Sequence, residues 1–447
     1  MSTSSTPKFG AIVLAAGKGT RMRSALPKVL HEIAGRPMLG HAIAVARQAG
    51  AAEILLVTSP DQDNVRAYAD GLGCEIVHCL QEQQNGTGDA VRAALPVLPA
   101  GERVLVMFGD TPLMRAQVLQ SLASCAEDIA VLGFEPQDAA AYGRIILDDN
   151  GAPQAIVEYK DADAATRAIG LCNGGAMGLS QNALADLLPK LSNDNAQGEY
   201  YLPDLVSLGV QSGRSSALIM ADTQDTLGVD GRAGQAKAEK LMQQRLRAGF
   251  LDAGVAMQDP DSVFLSFDTQ IAGDVTLEPH VKINPGVSIG AGTVIKSFSH
   301  LEGVVIGARA QIGPYARLRP GTIVEDEVKI GNFVETKKAH IGFGAKVSHL
   351  SYIGDAELGP EVNIGAGTIT CNYDGFHKHI TKIGAGAFVG SNSSLVAPVS
   401  IGAGAYLGSG TTLTNDVPDN ALVVTRAPER VIEKWGTKFR NNNKGSE

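Results

Sequence analysis

Residues Ser288 to Ile295 read SIGAGTVI, and the six-residue step from Ile289 to Ile295 is one link in a much longer series. Aliphatic side chains recur at Leu265, Ile271, Leu277, Ile283, Ile289, Ile295 and Leu301, then at Ile306, Ile312, Leu318, Val324 and Ile330. The series resumes at Val347 and Ile353, again at Leu358 and Ile364, and last at Ile383, Val389, Leu395, Ile401, Leu407 and Leu413. A period of six, built from short strands and tight turns, is that of a parallel β-helix in which one aliphatic per side points inward and glycine permits the turn. An α-helix has the wrong period, and glycine at this density would melt one. The phase breaks near Glu335 to Ile341 and near Thr370 to Ile383, which predicts two loops leaving the prism.

Upstream of the repeat the pattern changes. Apolar runs alternate with amphipathic segments: FGAIVLAAG from Phe9, MLGHAIAVARQAGA from Met38, EILLVTS from Glu53, DNVRAYADGLG from Asp63 and RVLVMFGD from Arg103. Strand and helix alternating at this spacing predict βαβ units and an open, mostly parallel sheet that presents ligands at the carboxyl ends of its strands. Between the two patterns, Arg232 to Gly254 is rich in Ala, Lys, Gln and Leu without proline and has the character of a connecting helix. The expected organisation is therefore α/β: a Rossmann-like domain over residues 1–231, a linker helix over 232–252, and a β-helix domain with a C-terminal arm over 253–447. A chain of 447 residues has room for roughly two or three such domains.

Composition removes several classes of function. The formal charge is −9 with no block of Lys or Arg, so the footprint of a nucleic-acid binder is missing. Cys74, Cys79, Cys125, Cys172 and Cys371 are odd in number and form no C-x-x-C pair, which argues against a disulfide framework or a zinc site and for reduced thiols in a cytoplasm. The opening MSTSSTPKFG has no charged region followed by an apolar one, and no apolar stretch approaches about 18 residues, so neither export nor a membrane span is expected.

The turn LAAGKGTRM, Leu14 to Met22, follows the first apolar run. It matches neither G-x-x-x-x-G-K-[ST] nor G-x-G-x-x-G. Successive N–H groups from Gly17 to Thr20 can nonetheless form an anion nest, and Arg21 and Lys28 add cations, a combination suited to a nucleoside triphosphate. Asp110 ends the strand-like run VLVMF, where a carboxylate can hold Mg²⁺ against phosphate oxygens. Gln81, Gln84, Gly86 and Thr87 supply amide and hydroxyl groups able to distinguish a base edge.

With these motifs in place the chain resembles the sugar-nucleotide pyrophosphorylases. LAAGKGTRM, LPKVL, QNGTGDA, FGDTPL, AYGRI, IVEYKDA, CNGGAMG and NAQGEYYLPD follow in the order that family uses. Together with the left-handed β-helix that hexapeptides imply, the resemblance extends over nearly the whole chain. It points to the bifunctional bacterial N-acetylglucosamine-1-phosphate uridyltransferases that are also glucosamine-1-phosphate N-acetyltransferases, cytoplasmic makers of UDP-N-acetylglucosamine for peptidoglycan and lipopolysaccharide. Residue by residue, the resemblance implies UTP contacts from Leu14, Ala15, Ala16, Gly17, Lys28, Gln81, Gly86 and Thr87, and sugar contacts from Gly143, Glu158 and Asn173. It implies Mg²⁺ held by Asp110 and by Asp230 of LGVDGR, where the family usually has Asn. Because a sugar-1-phosphate must attack the α-phosphorus of UTP as one anion approaching another, Arg21 and Lys28 are the expected electrostatic catalysts.

The second half carries polar residues that a purely structural β-helix would not need, in ARLRPG, NFVETKKAHIG, KVSHLSYIGD and NIGAGTITCNYDGFHKHITKIG. His349 is the candidate general base, a neutral imidazole taking the proton from the 2-amino group of glucosamine-1-phosphate as it attacks acetyl-CoA. Arg319 and Lys337 suit the sugar phosphate, Tyr352 and Asn363 the sugar, and Asn372 with Tyr373 the reactive ends. The resemblance assigns the same work to these positions and adds Lys378 nearby, Ala366, Ser391 and Ser409 along the acetyl-CoA groove, and Arg426 in the C-terminal arm. Cys371 is expected to be a bystander, since no second base stands beside it for a covalent route. The resemblance further implies a homotrimer, with RAPERVIEKWGTKF as an arm reaching a neighbour through Trp435. Two readings compete with the bifunctional enzyme: a monofunctional nucleotidyltransferase whose β-helix serves assembly or regulation, and a noncatalytic sugar-nucleotide sensor.

Overall fold

The computed structural model describes residues 9–98, 101–139, 141–426 and 428–443. Residues 1–8, most of the opening searched for a leader, lie outside the described residues, as does Ala427 of the arm. The chain divides into two compact units between Leu246 and Arg247.

The first unit begins with β1 (Phe9–Leu14), all six residues buried, followed by a small hairpin of β2 (Glu32–Ile33) and β3 (Arg36–Pro37) and by α1 (Met38–Ala49). Then come β4 (Ala51–Thr58), α2 (Asp63–Asp70), β5 (Val77–Leu80), α3 (Thr87–Arg92), β6 (Arg103–Phe108) and α4 (Ala116–Ser124). After β7 (Ile129–Phe134) the chain forms β8 (Arg144–Leu147), β9 (Pro153–Val157), α5 (Ala164–Arg167) and β10 (Cys172–Ser180). The set closes with α6 (Gln181–Leu187), α7 (Asp204–Gln211), β11 (Ser216–Met220) and α8 (Arg232–Asp252), the last of which spans the division.

Seven strands lie in the order β11-β7-β10-β6-β1-β4-β5, with β8 and β9 as a branch on β10. β1 runs parallel to β4 and β6, and β4 to β5, as the alternating pattern predicts. β10 is antiparallel to both β6 and β7, so the sheet is mixed. Its apolar side chains feed clusters on both faces, one around Phe9, Leu39 and Met107 and one around Ile12, Val106 and Met177. Burial on both faces is why β1 and β6 read as unbroken apolar runs.

In the second unit, short strands stack in parallel along three faces. One column runs Ala256, Thr276, Val294, Gln311, Lys329, Lys346, Asn363, Phe388, Tyr406 and Leu422. The aliphatics of the six-residue series fill the interior, all buried except Ile271, which is half-buried. The two glycines of each IGAG turn have different physical jobs. At Gly365 a Cβ would come within 2.5 Å of Ser391 N in the next coil, so this glycine serves close stacking. Gly367, by contrast, takes a φ of +75°, and it is the one that makes the turn.

One expected loop is absent. Glu335–Ile341 is a continuous strand that turns a corner of the prism and pairs with Arg317, Ile323 and Tyr352–Leu358 on its neighbours. The phase broke because Thr336 and Ala339, both buried, occupy inward positions that aliphatics take elsewhere. The second expected loop is present: residues 372–380 leave the coil, pinned by a bridge between Tyr373 and Lys378.

Candidate functional site

In the first unit the ends of β1, β5 and β6 and the turn before α3 enclose a cavity of about 350 Å³. Leu14, Ala15, Ala16, Gly17, Lys28, Gln81, Gly86, Thr87, Asp110 and Asp230 all line it, together with Gln84. Phe108 and Glu199 also line it and escaped the sequence reading, Phe108 because it reads as one more apolar strand residue. Two glycines shape the walls. A Cβ on Gly19, whose φ is +60°, would stand 2.5 Å from Lys28 Cβ, so the turn closes directly onto Lys28. A Cβ on Gly86, at φ +108°, would stand 2.6 Å from the carbonyl oxygen of Tyr200, which explains the pairing of the QNGTGDA and GEYY motifs. The N–H groups of Gly17, Lys18, Gly19 and Thr20 donate to no acceptor among the described residues, leaving the nest open to an anion.

Polar contacts fix the rest of the wall. Gln81 donates both amide hydrogens internally, to Gly86 O at 3.1 Å and to Asp89 Oδ2 at 2.9 Å, so its carbonyl oxygen is what remains to offer a ligand. Gln84 Nε2 donates to Ala16 O at 2.6 Å, and Thr87 Oγ1 accepts from Leu202 N at 3.0 Å.

The charged residues converge. Lys28 Nζ is paired with Asp110 and lies 3.4 Å from Asp230 Oδ1, while Arg21 Nη1 reaches Asp230 Oδ2 at 3.1 Å. Burial of the Lys28 ammonium would lower its pKa, yet Asp110 first and then Asp230 outweigh that effect and raise it. Asp110 and Asp230 thus share one cationic point, which the Lys28 ammonium occupies. No group of three or more His, Cys, Asp or Glu able to hold a metal occurs among the described residues. Two carboxylates completed by ligand phosphates and water match the preference of Mg²⁺, so the donor set fits that ion.

Beside this cavity sits the predicted sugar pocket. Asn173 N donates to Gly143 O at 2.8 Å, and Asn173 Oδ1 accepts from Gly175 N at 3.0 Å. A Cβ at Gly143 would stand 3.1 Å from Glu158 Oε1, so the three predicted residues are adjacent and Gly143 keeps the space above Glu158 clear. Burial, then the carboxylates of Asp204 and Asp161, push the Glu158 pKa up.

In the second unit the predicted residues fall on neighbouring coils. His349 Nδ1 is 2.8 Å from Asn332 Oδ1, one coil earlier. Asn332 was missed by the sequence reading, although its separation of 17 residues from His349 is the length of one coil. With the amide oxygen accepting from Nδ1–H, Nε2 is left as the basic nitrogen. Successive bonds run along the same corner: Leu350 N to Asn332 O, Gly367 N to His349 O, Asn392 N to Ala366 O, and Gly410 N to Ser391 O. His349, Ala366, Ser391 and Ser409 each precede a residue with positive φ, namely Leu350, Gly367, Asn392 and Gly410. They therefore form one ladder up a single edge, and Arg426 Nη1 donates to Ser409 O at 3.1 Å at its far end.

On the adjoining face Arg319 Nη1 donates to Glu335 Oε1 at 2.7 Å, Glu335 is in register with Tyr352, and Lys337 with Gly354. The Tyr352 hydroxyl lies over Gly354, where a Cβ would meet it at 2.4 Å. Asn363 follows Lys346 in the column that carries His349. Asn372 donates through Nδ2 to Asp355, and Lys378 Nζ lies 4.2 Å from the Tyr373 ring centroid. Cys371 Sγ has only a weak contact with Ile369 O at 4.0 Å.

A family model described as a MobA-like NTP transferase domain matches residues 11–197, and one described as bacterial transferase hexapeptide (six repeats) matches 303–338 and 380–415. The chain is 49% identical over 434 residues to a protein of Azorhizobium caulinodans named bifunctional protein GlmU, covering 96% of each chain. It is 46% identical to the protein of that name from Jannaschia sp., covering 97% of this chain and 96% of the other. With the Zymomonas mobilis protein of the same name, identity is 44% over 98% of each.

Proposed function

The chain belongs to the bifunctional GlmU family, and from that membership we propose how its two sites divide the work. It makes UDP-N-acetylglucosamine, transferring acetyl from acetyl-CoA to glucosamine-1-phosphate and uridylyl from UTP to N-acetylglucosamine-1-phosphate with release of pyrophosphate. The observation that carries the bifunctional reading is the His349 imidazole, held through Nδ1 by Asn332 at 2.8 Å with Nε2 left basic, on the edge that also carries Ala366, Ser391 and Ser409 and ends at Arg426. The backbone bonds of that edge recur at the other corners, as from Gly344 N to Asp326 O, so it is the oriented base that a β-helix serving assembly alone would not need.

At the first site the open N–H groups of Gly17 to Thr20 and the Arg21 and Lys28 cations hold the triphosphate. The Gln81 carbonyl accepts the N3–H of uracil, a donor that cytosine lacks. Glu158, Asn173 and the cleared space at Gly143 receive the sugar. Asp110 and Asp230 would hold Mg²⁺, which would neutralise phosphate charge so that one anion can approach another. The Lys28 ammonium, which bridges the two carboxylates here, lines the same cavity and is placed to pair with a phosphate oxygen of the substrate.

At the second site His349 Nε2 takes a proton from the 2-amino group while the nitrogen attacks the thioester carbonyl. The C–N bond forms, the C–S bond breaks, and the proton passes from His349 to the departing thiolate. Arg319 and Lys337 hold the sugar phosphate, Tyr352 and Asn363 the sugar, and Asn372 and Tyr373 the reactive ends. Acetyl-CoA lies along Ala366, Ser391 and Ser409 toward Arg426. The chain works in the cytoplasm as a homotrimer, a reading supported by the exposed Trp435–Phe439 stack of the C-terminal helix Trp435–Asn443. No helix among the described residues is long and apolar enough to cross a membrane. A paired assay of coenzyme A release with glucosamine-1-phosphate and pyrophosphate release with N-acetylglucosamine-1-phosphate tests the proposal; absence of thiol release would leave only the first activity.

A further inference from the structure

Asp110 and Asp230 stand at the ends of two short segments whose opposite ends are tied together. Asp110 leads through Leu113 to Arg115, the residue before α4, and Asp225 leads through Val229 to Asp230. Asp225 is fully buried. Arg115 Nε reaches its two oxygens at 2.9 and 2.8 Å, and Arg115 Nη2 lies 2.6 Å from Oδ2. Arg245 of α8 adds a bond from Nη2 to Asp225 Oδ1 at 3.2 Å and one from Nη1 to the carbonyl of Leu113 at 2.8 Å. At the other end Val229 N donates to the Asp110 carbonyl at 3.0 Å. Leu113, Leu227 and Val229 share one apolar cluster between these ties.

The two segments thus close a ring from Asp110 to Arg115, across to Asp225, along to Asp230 and back. Here the carboxylate of Asp225 is buried while the two guanidinium groups are partly exposed, and several charge-assisted bonds converging on one carboxylate constrain its geometry. Mg²⁺ demands near-ideal octahedral placement of its oxygens, so a fixed separation between two carboxylates matters to it. We propose that the Arg115–Asp225–Arg245 cluster is a positioning device for uridyl transfer, holding Asp110 and Asp230 at the separation that one divalent cation and the triphosphate require. This rests on the reading of Asp110 and Asp230 as metal ligands.

The test compares full-length Arg115→Met, Arg115→Lys, Arg245→Met and Asp110→Asn with wild type. Mn²⁺ binding in the presence of UTP is followed by the loss of its free electron paramagnetic resonance signal, alongside the Mg²⁺ dependence of pyrophosphate release. Arg115→Met is expected to weaken Mn²⁺ binding by up to roughly tenfold, the low end of what loss of a direct partner of a metal ligand costs, because Arg115 acts on Asp110 and Asp230 through the chain between them. Excess metal restores much of its kcat, Arg115→Lys falls between, and acetyl transfer is unchanged. Wild-type Mn²⁺ affinity in folded Arg115→Met, even with a lowered melting temperature, overturns the proposal. Should that variant not fold, Arg245→Met, which frees the Leu113 carbonyl while leaving Asp225 its Arg115 partner, decides it in the same direction. Impaired Asp110→Asn beside an unaffected Arg115→Met refutes the positioning role alone; unimpaired Asp110→Asn refutes the ligand reading beneath it.

Discussion

Replacing His349 by Ala removes the group assigned to receive the amine proton at the second site, and the structure sets a scale for what its support is worth. A positioned general base contributes roughly 10²- to 10⁴-fold, so acetyl-transfer kcat is expected to fall by that range. Asn332 holds the imidazole through a 2.8 Å contact to Nδ1. A hydrogen bond of that kind contributes about 0.5–1.5 kcal/mol net, which converts to roughly 2- to 13-fold. Asn332→Ala, in which the ring is free to carry its proton on Nε2, is therefore expected to lower kcat by up to about tenfold and to leave the KM for glucosamine-1-phosphate near wild type. The assay is coenzyme A thiol release at saturating substrates, with pyrophosphate release from supplied N-acetylglucosamine-1-phosphate as the internal control that both variants should pass. A His349→Ala enzyme within tenfold of wild type would refute the base assignment. An Asn332→Ala enzyme as impaired as His349→Ala would refute the view that Asn332 acts only by holding the ring.

Lys337→Ala is expected to raise the KM for glucosamine-1-phosphate with a smaller change in kcat, and Cys371→Ala to be close to neutral; a dead Cys371→Ala beside an active His349→Ala would require an acetyl-cysteine intermediate. Asp110→Asn is expected to abolish or greatly reduce uridyl transfer while sparing acetyl transfer, whereas Asp230→Asn keeps a hard oxygen ligand and retains substantial activity; loss of all uridyl transfer in the latter would show that the charge of Asp230 is needed. Burial, with help from Arg36 and Arg245, pushes the His41 pKa down to about 4, against 6.5 for an unperturbed histidine. The unfolded chain therefore binds more protons between those values, so stability is full above about pH 6.5 and declines as pH falls toward 4, by roughly 3 kcal/mol from this group. Urea unfolding across that window should show the decline, and His41→Gln, which cannot take up the proton, should flatten it.

What could be read from the chain, and what could not, follows from where each constraint is written. A β-helix repeats its geometry every coil, so the inward positions of Ile289 or Val389 are visible as a period, which fails where Thr336 and Ala339 do the same inward job with other chemistry and where residues 372–380 leave the coil. The lining of the first cavity was legible because it gathers motifs at strand ends, which an α/β sheet always brings together. Asn332 stood one coil from His349, so its position was implied by the period, but nothing in its own segment marked an acceptor aimed at an imidazole. The tie between Arg115 and Asp225 spans 110 residues and obeys no period at all. Each residue alone reads as an ordinary charge near a helix start or in a loop. A contact of that kind enters the sequence as two unrelated letters and acquires meaning only when the sheet order brings β6 and the segment after β11 to the same end of the fold. The residues that hold catalytic groups in place are thus the ones that a reading by motif passes over, since a motif records the chemistry of a group and its support is recorded by topology.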